Sequence, residues 1–418
     1  MQSVPKSIRI HIGIFGRRNV GKSSLLNALT RQRISIVSDI AGTTTDPVEK
    51  TMELQPLGPV LFIDTAGIDD LGALGKLRIG KTWEVFDRTD LALLVTEPGV
   101  WGEYEELLTK EFSIRGIPVV IAINKSDTVG AGAAIESAPE RFRDVAVAVS
   151  SLTCAGLDSL REKMLSLAPP ESIQTPLILG DLVGPGEMAL LVVPIDKEAP
   201  KGRLILPQVQ AIRDLLDSDS LCMVVKEREL RLALARLKSP PKLVVTDSQA
   251  FLKVTADVPA EIPVTSFSIL FSRFKGDLAR QVEGAMAVDY LKSGDRVLIA
   301  EACSHHPIGE DIGRVKIPRW ITQYVGGKLD FVHCQGHDFP DDLSEYRLVI
   351  HCGACTMNRR EMISRIYRCA RAGVPVTNYG LVIAYSLGIF ERALGPFPAA
   401  LCAYRTAMNK QKKIKHGA

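Results

Sequence analysis

The segment Gly16-Arg17-Arg18-Asn19-Val20-Gly21-Lys22-Ser23 constrains the fold of this chain more than any other. It fits G-x-x-x-x-G-K-[ST] and lies between an apolar, β-branched run at 8–15 and a helix-period stretch from Lys22 to Thr30. A strand that feeds a glycine-rich loop into a helix wraps backbone N–H groups around a phosphate at the positive end of that helix. Gly16, Val20 and Gly21 shape the loop, Lys22 is expected to reach the β- and γ-phosphates, and the Ser23 hydroxyl to bind Mg²⁺. Ser24 completes the first helical turn.

The same alternation continues beyond the loop. Strands are expected at 8–15, 60–63, 91–95, 119–123 and 145–149, with helices at 22–30, 103–115 and 157–167 between them. This is the pattern of a mostly parallel, doubly wound α/β sheet. Ala168-Pro169-Pro170 ends the last helix, because proline cannot continue it. A first domain is therefore expected over 1–170. A smaller α/β segment, 173–263, contains no cluster of ionisable residues suited to catalysis and reads as an association module. A third α/β unit, 264–418, is expected to carry strands at 296–299, 329–333, 348–350 and 374–376, and helices at 275–291, 361–372 and 380–393. With 418 residues, several cores rather than one are required.

Three further motifs close predicted strands. Asp64-Thr65-Ala66-Gly67 offers an aspartate for Mg²⁺ and a glycine amide for a γ-phosphate. Asn124-Lys125-Ser126-Asp127 offers a carboxylate that accepts both the ring N–H and the exocyclic amine of guanine, so GTP is expected over ATP. Ser150-Ser151 is where a backbone amide is expected to meet the guanine oxygen.

In this order the four motifs resemble those of the translation-factor-like GTPases, especially the branch containing Era and the tRNA-modifying GTPase MnmE. The stretch Ser38-Asp39-Ile40-Ala41-Gly42-Thr43-Thr44-Thr45-Asp46 is similar to that branch's first switch, and the resemblance puts Thr44 at the Mg²⁺ position. Ile68 follows Gly67 where many GTPases carry a water-positioning glutamine, which implies slow intrinsic hydrolysis or completion by another group. Asn19 matches the asparagine that holds K⁺ against the phosphates in relatives of this branch, and a bound K⁺ would do the work of an arginine finger.

The last third of the chain carries the sulfur and imidazole. Six of the eight cysteines lie from Cys303 onward, and five of the seven histidines between His305 and His351. Cys303-Ser304-His305 and His351-Cys352-Gly353-Ala354-Cys355 follow predicted strands, where ligands collect in open α/β sheets. Three thiolates with imidazole suit tetrahedral zinc or an iron–sulfur cluster equally by spacing. Glu301, His305 and His351 are the candidate further ligands, with His306 nearby. Cys334, His333 and His337 read as a buried thiol and surface imidazoles, and Cys369 and Cys402 as core residues.

Taken together, the GTPase motifs, the middle segment without an active site and the C-x-H…H-C-x-x-C pattern resemble the family of GTPases that mature the H-cluster of FeFe-hydrogenases. The resemblance implies a scaffold with a 4Fe–4S cluster on Cys303, Cys352 and Cys355 and a transient two-iron precursor bearing CO and cyanide. It further implies delivery to apo FeFe-hydrogenase, radical-SAM maturases as partners, and dimerisation, to a homodimer or higher, through the middle domain. The alternative is an RNA- or ribosome-associated GTPase with a C-terminal zinc domain. Against it stands the near balance of 51 basic and 48 acidic residues, which leaves no global field for nucleic acid. No apolar run approaches the ~18 residues of a membrane span, and no secretory pattern precedes Arg9, so a cytoplasmic protein without a membrane partner is expected. The tail from Arg405 to Ala418, with five Lys/Arg and no acid, reads as a frayed, solvated terminus.

Overall fold

In a computed structural model of the chain, the residues described are 5–30, 48–54, 57–65, 84–170, 176–194, 204–302 and 311–416. The chain divides into two compact units, Met1–Thr175 and Pro176–Ala418. The described residues form three sheets.

The first unit is built around β1 (Ile10–Phe15), all six residues of which are buried. Helix α1 (Lys22–Thr30) follows it, then β2 (Val48–Leu54), β3 (Gly58–Asp64) and β4 (Leu91–Thr96). Helix α2 (Glu103–Ile114), β5 (Val119–Ile123), β6 (Ala146–Ala148) and α3 (Leu157–Leu167) complete it. The strand order is β2-β3-β1-β4-β5-β6. All neighbours pair in parallel except β2, which runs antiparallel along β3. Burial on both faces explains why the parallel strands read as unbroken apolar runs. β2 was not expected from the sequence: Glu49, Lys50, Thr51 and Glu53 give it a polar composition suited to a sheet edge.

Under the end of β1, the rings of Phe15, Phe86 and Phe112 meet with centroids 4.9–5.3 Å apart. Phe15 is the last residue before the glycine-rich loop, so this cluster fixes the point from which the loop departs.

The second unit carries two all-parallel sheets. One has the order β10-β9-β7-β8, from β7 (Met188–Val192), β8 (Leu221–Val225), β9 (Leu243–Thr246) and β10 (Val264–Ser266). Val264–Ser266 pairs with β9, so this sheet continues past the expected limit at Pro263. Directly after β10 comes α4 (Phe267–Lys275), which is capped by the Ser266 side chain accepting from the Ile269 amide at 3.3 Å. The helix expected over 275–291 begins instead at α5 (Leu278–Met286), because Asp277 caps a new helix through the Arg280 amide.

The other sheet has the order β12-β11-β13-β14, from β11 (Arg296–Glu301), β12 (Asp330–Gln335), β13 (Leu348–His351) and β14 (Val376–Asn378). Helix α6 (Arg359–Arg371) joins β13 to β14, and α7 (Tyr379–Ser386) starts at the Asn378 cap. The helix expected over 380–393 is interrupted, and Phe390–Leu394 forms a separate turn. Pro398–His416 is one helix, α8, with Arg405 paired to Glu391 and Tyr404 against the Phe390 ring at 5.1 Å, so the expected solvated tail begins within a helix and Arg405 itself is exposed.

Phe112→Ala should cost about 3–5 kcal/mol, since it removes one of three mutually packed buried rings. A lowered urea midpoint, followed by circular dichroism, checks this.

Candidate functional site

The expected nucleotide motifs in the described residues all stand at one edge of the first sheet. Gly16 has φ 141°, and a Cβ there would meet the Val95 carbonyl oxygen at 2.2 Å. Gly21 has φ 88°, and its Cβ would meet the Asn124 side-chain nitrogen at 2.3 Å. Neither position tolerates a side chain, which is what a loop wrapped closely around a phosphate needs. Asn19 is left-handed (φ 65°) and exposed. Lys22 lies across the loop, its ammonium donating to the carbonyls of Gly16 (2.5 Å) and Arg17 (2.8 Å). Ser23 and Ser24 are exposed in the first turn of α1, where helix amides face outward. Asp64 ends β3 and is buried. Thr44 and Gly67 lie outside the described residues.

Asn124 ties the loops together. It is fully buried after β5, donates through Nδ2 to the Val20 carbonyl (2.9 Å) and accepts the Ser151 amide at Oδ1 (3.0 Å). One side chain thus joins the phosphate loop to the loop after β6. Lys125, left-handed at φ 59°, donates to the Asn19 carbonyl at 3.1 Å and pairs with Glu97. Asp127 is exposed, as a carboxylate for a base must be. The expected role of the Ser150 and Ser151 amides meets a competing use: they donate to the Ala155 carbonyl and to Asn124.

Sequence reasoning missed Glu105. It is buried on α2 and takes a two-pronged contact from Arg17, at 2.7 and 2.8 Å, while also accepting the Gly102 amide. Burial raises its pKa, but the Arg17 hydrogen bonds, those to backbone amides and the Arg17 charge outweigh this and hold it below the usual carboxylate range. The phosphate loop is thereby anchored to α2. Only the tripeptide Arg17-Arg18-Asn19 inside the motif hinted at such a partner.

In the second unit, the third sheet brings Glu301, His351 and Cys352 to the same edge. Ala300 of β11 sits opposite His351 of β13 and Cys334 of β12. Cys303, His305 and His306 lie outside the described residues. Among the described residues no group of three or more His, Cys, Asp or Glu side chains is arranged to hold a metal. The donors that are described fit a thiophilic group nonetheless. The Cys352 sulfur accepts the amides of Ala302 (3.0 Å) and Ala354 (3.5 Å), contacts that favour a thiolate. Beneath the loop, the buried Lys275 donates to the carbonyls of Ala354, Cys355 and Met357. Burial pushes its pKa down to about 7, against the opposing fields of Cys355, Cys352 and Glu361.

His351 is not a free ligand in this arrangement. Its Nδ1 donates to the Cys352 carbonyl at 3.0 Å, and its Nε2 faces Arg365 at 3.0 Å, which donates to it. Burial, reinforced by the Arg365 charge, pushes the imidazole down to about 3, so the ring is neutral. Arg365 also donates to the Gly336 carbonyl and to Glu361. Glu301 is held more loosely. Gln335 reaches it at 3.2 Å, the Tyr379 hydroxyl at 3.4 Å and Arg314 at 3.8 Å.

Cys334 is half-buried, and burial pushes its thiol up to about 11. His333 faces the Gly313 carbonyl and His337 faces Glu361. Cys369 is buried as expected, but Cys402, expected in the core, is exposed on α8.

Three family models match the chain. Residues 11–125 match a 50S ribosome-binding GTPase model, 178–276 the hydrogen maturase F dimerization domain, and 279–396 the hydrogen maturase F tetramerization domain. The chain is 38% identical over 161 residues to the tRNA modification GTPase MnmE of Chromobacterium violaceum, covering 38% of this chain and 34% of that protein. It is 39% identical over 131 residues to GTPase Der of Wolinella succinogenes, covering 30% of this chain and 27% of that protein. The chain thus spans about a third of the length of such curated relatives. A crystal structure of Aquifex aeolicus Era bound to GDP and aluminium fluoride is 21% identical, with a TM-score of 0.33 over 60% of this chain and 99% of that one. A P-loop GTPase domain followed in order by these dimerization and tetramerization domains makes the chain a member of the hydrogen maturase F family.

Proposed function

We propose that this maturase binds GTP with Mg²⁺ on Gly16–Ser24, Thr44, Asp64 and Gly67, and reads guanine with Asn124, Lys125, Asp127 and the Ser150-Ser151 loop. It hydrolyses GTP slowly, with K⁺ held at Asn19, and uses the nucleotide as a switch. Its C-terminal part holds a 4Fe–4S cluster on Cys303, Cys352 and Cys355, assembles a two-iron precursor with CO and cyanide supplied by radical-SAM maturases, and delivers it to apo FeFe-hydrogenase. The protein works as a homodimer or larger assembly in the cytoplasm. The GTP-binding block ends near residue 170, the association block begins near 173, and the cluster block begins at the break between α4 and α5.

The observation that carries this reading is the loop from Cys352 to Cys355. It lies at a parallel strand end inside the matched tetramerization domain, with two amides donating to one sulfur and a buried ammonium beneath. When bound, the cluster would supply an iron to which cargo attaches. Of the candidate fourth ligands Glu301 is the exchangeable one, because its contacts of 3.2–3.8 Å are long, whereas both ring nitrogens of His351 are occupied.

Protein purified without oxygen should be brown and contain iron and sulfide. Cys352→Ala and Cys355→Ala should each lose the iron and hydrogenase activation together, while GTP binding persists. Colourless protein with one zinc would overturn the cluster reading. Hydrolysis should run faster in K⁺ than in Na⁺, and Asn19→Ala should erase that difference without weakening binding; equal rates in the two salts contradict the K⁺ site.

Asn124→Ala should weaken GTP binding by about 1–3 kcal/mol, because the Val20 carbonyl and Ser151 amide lose their buried partner. Isothermal titration with GTP and with ATP measures the loss and the selectivity.

A further inference from the structure

Lys275 ends α4, the helix that follows the last strand of the second sheet, yet its ammonium lies under the cysteine loop of the third. It is 1% exposed. Its hydrogen-bond partners are three backbone carbonyls, of Ala354 (2.7 Å), Cys355 (3.2 Å) and Met357 (2.7 Å), and among the described residues no carboxylate pairs with it. The Phe271 ring lies 5.5 Å away on the same helix. Three carbonyls match the three protons of an ammonium, but they do not neutralise it. The Glu361 carboxylate acts on this buried charge through space and not in contact, so further negative charge close to the ammonium would stabilise it.

The loop above it is where that charge would reside. Lys275 gathers the carbonyls of Ala354, Cys355 and Met357, and Ala354, between the two cysteines, is left-handed at φ 50°. A non-glycine residue in that region is strained, so something must hold the turn. The ammonium does so from inside, by drawing the carbonyls of residues 354, 355 and 357 to one point.

We propose that Lys275 is the positioning residue of the two-cysteine loop, fixing the separation of the Cys352 and Cys355 sulfurs and offsetting the negative charge of the metal group they bind. This rests on the reading that those thiolates hold a metal group. It has a second consequence: the cluster loop takes its support from a helix of the segment matching the dimerization domain, so a change in that segment's packing is felt directly at the metal site.

The test uses the full chain with Lys275→Met, which keeps length and apolar character but removes charge and donors, and Lys275→Arg, which keeps the charge. Cobalt(II) titration of the metal-free protein, read by the thiolate-to-cobalt absorption band, measures the loop whatever metal group it naturally holds. Lys275→Met should bind cobalt(II) on the order of tenfold more weakly. In reconstituted protein its cluster should have a more negative reduction potential, and Lys275→Arg should recover most of that shift. Loss of support alone would weaken binding without this charge-dependent pattern. If Lys275→Met does not fold by circular dichroism, Lys275→Gln, also uncharged, takes its place with the same expectation. Cobalt(II) affinity equal to the parent's overturns the proposal, as does a potential as negative in Lys275→Arg as in Lys275→Met. A parent protein that takes up no iron sinks the cluster reading instead, and the cobalt(II) comparison still decides the role of Lys275.

Discussion

Parallel pairing obliges the loop after each strand to leave a sheet from the same edge, and both candidate sites depend on that geometry. In the first sheet the parallel strands are buried on both faces and largely apolar, His11 in β1 excepted, so most polar groups gather where the pairing ends. Gly16 follows Phe15, Asp64 is the last residue of β3, Asn124 follows Ile123, and Ser150 comes two residues after Ala148. Residues more than a hundred positions apart thereby meet, as Asn124 meets Val20. The third sheet obeys the same rule with Glu301, Gln335, His351 and Asn378 at its strand ends. The second sheet, equally parallel, ends its strands in Val192, Val225, Thr246 and Ser266, with Lys226 and Asp247 directly after two of them and Gln208 donating to Asp247.

This rule also explains what was legible in the sequence. A buried parallel strand is an apolar run and its end is a change to polar residues, so β1, β3, β4 and β5 were visible together with the motifs that close them. β2 was not, because an antiparallel edge strand needs only partial burial; ion pairs from Lys6 and Arg88 to Glu49 help hold it instead. α4 was missed although its pattern was present: Phe267, Leu270, Phe271 and Phe274 recur at i, i+3, i+4 and i+7 and are all buried.

The sequence groups the sulfur and imidazole of the third sheet by their place at strand ends but cannot rank them. His351 counts as a ligand by composition, yet Arg365, fourteen residues later on α6, occupies its Nε2. Nothing in linear spacing reveals that contact, although Glu361 and Arg365 at i and i+4 announce an ion pair on the buried face of α6. Glu105 was hidden likewise, since its partner Arg17 lies 88 residues away.

The charges around the cysteine loop then set what can occupy it. Lys275 lies on one side, donating to loop carbonyls, and Arg365 on the other, bonded to the imidazole of the residue before Cys352. Glu361, bonded to Arg365, is the buried carboxylate whose field reaches both Lys275 and His351. Glu301, also buried, stands at the same edge beside Cys352, so two buried carboxylates accompany the two cations. His351 is neutral, and the amides of Ala302 and Ala354 point their positive ends at the Cys352 sulfur. Two amides donating to one sulfur and an ammonium gathering the loop carbonyls are contacts that suit negative charge on the loop. A metal group held on thiolates of this loop would bring such charge, and Lys275 and the two amides are the groups placed to meet it.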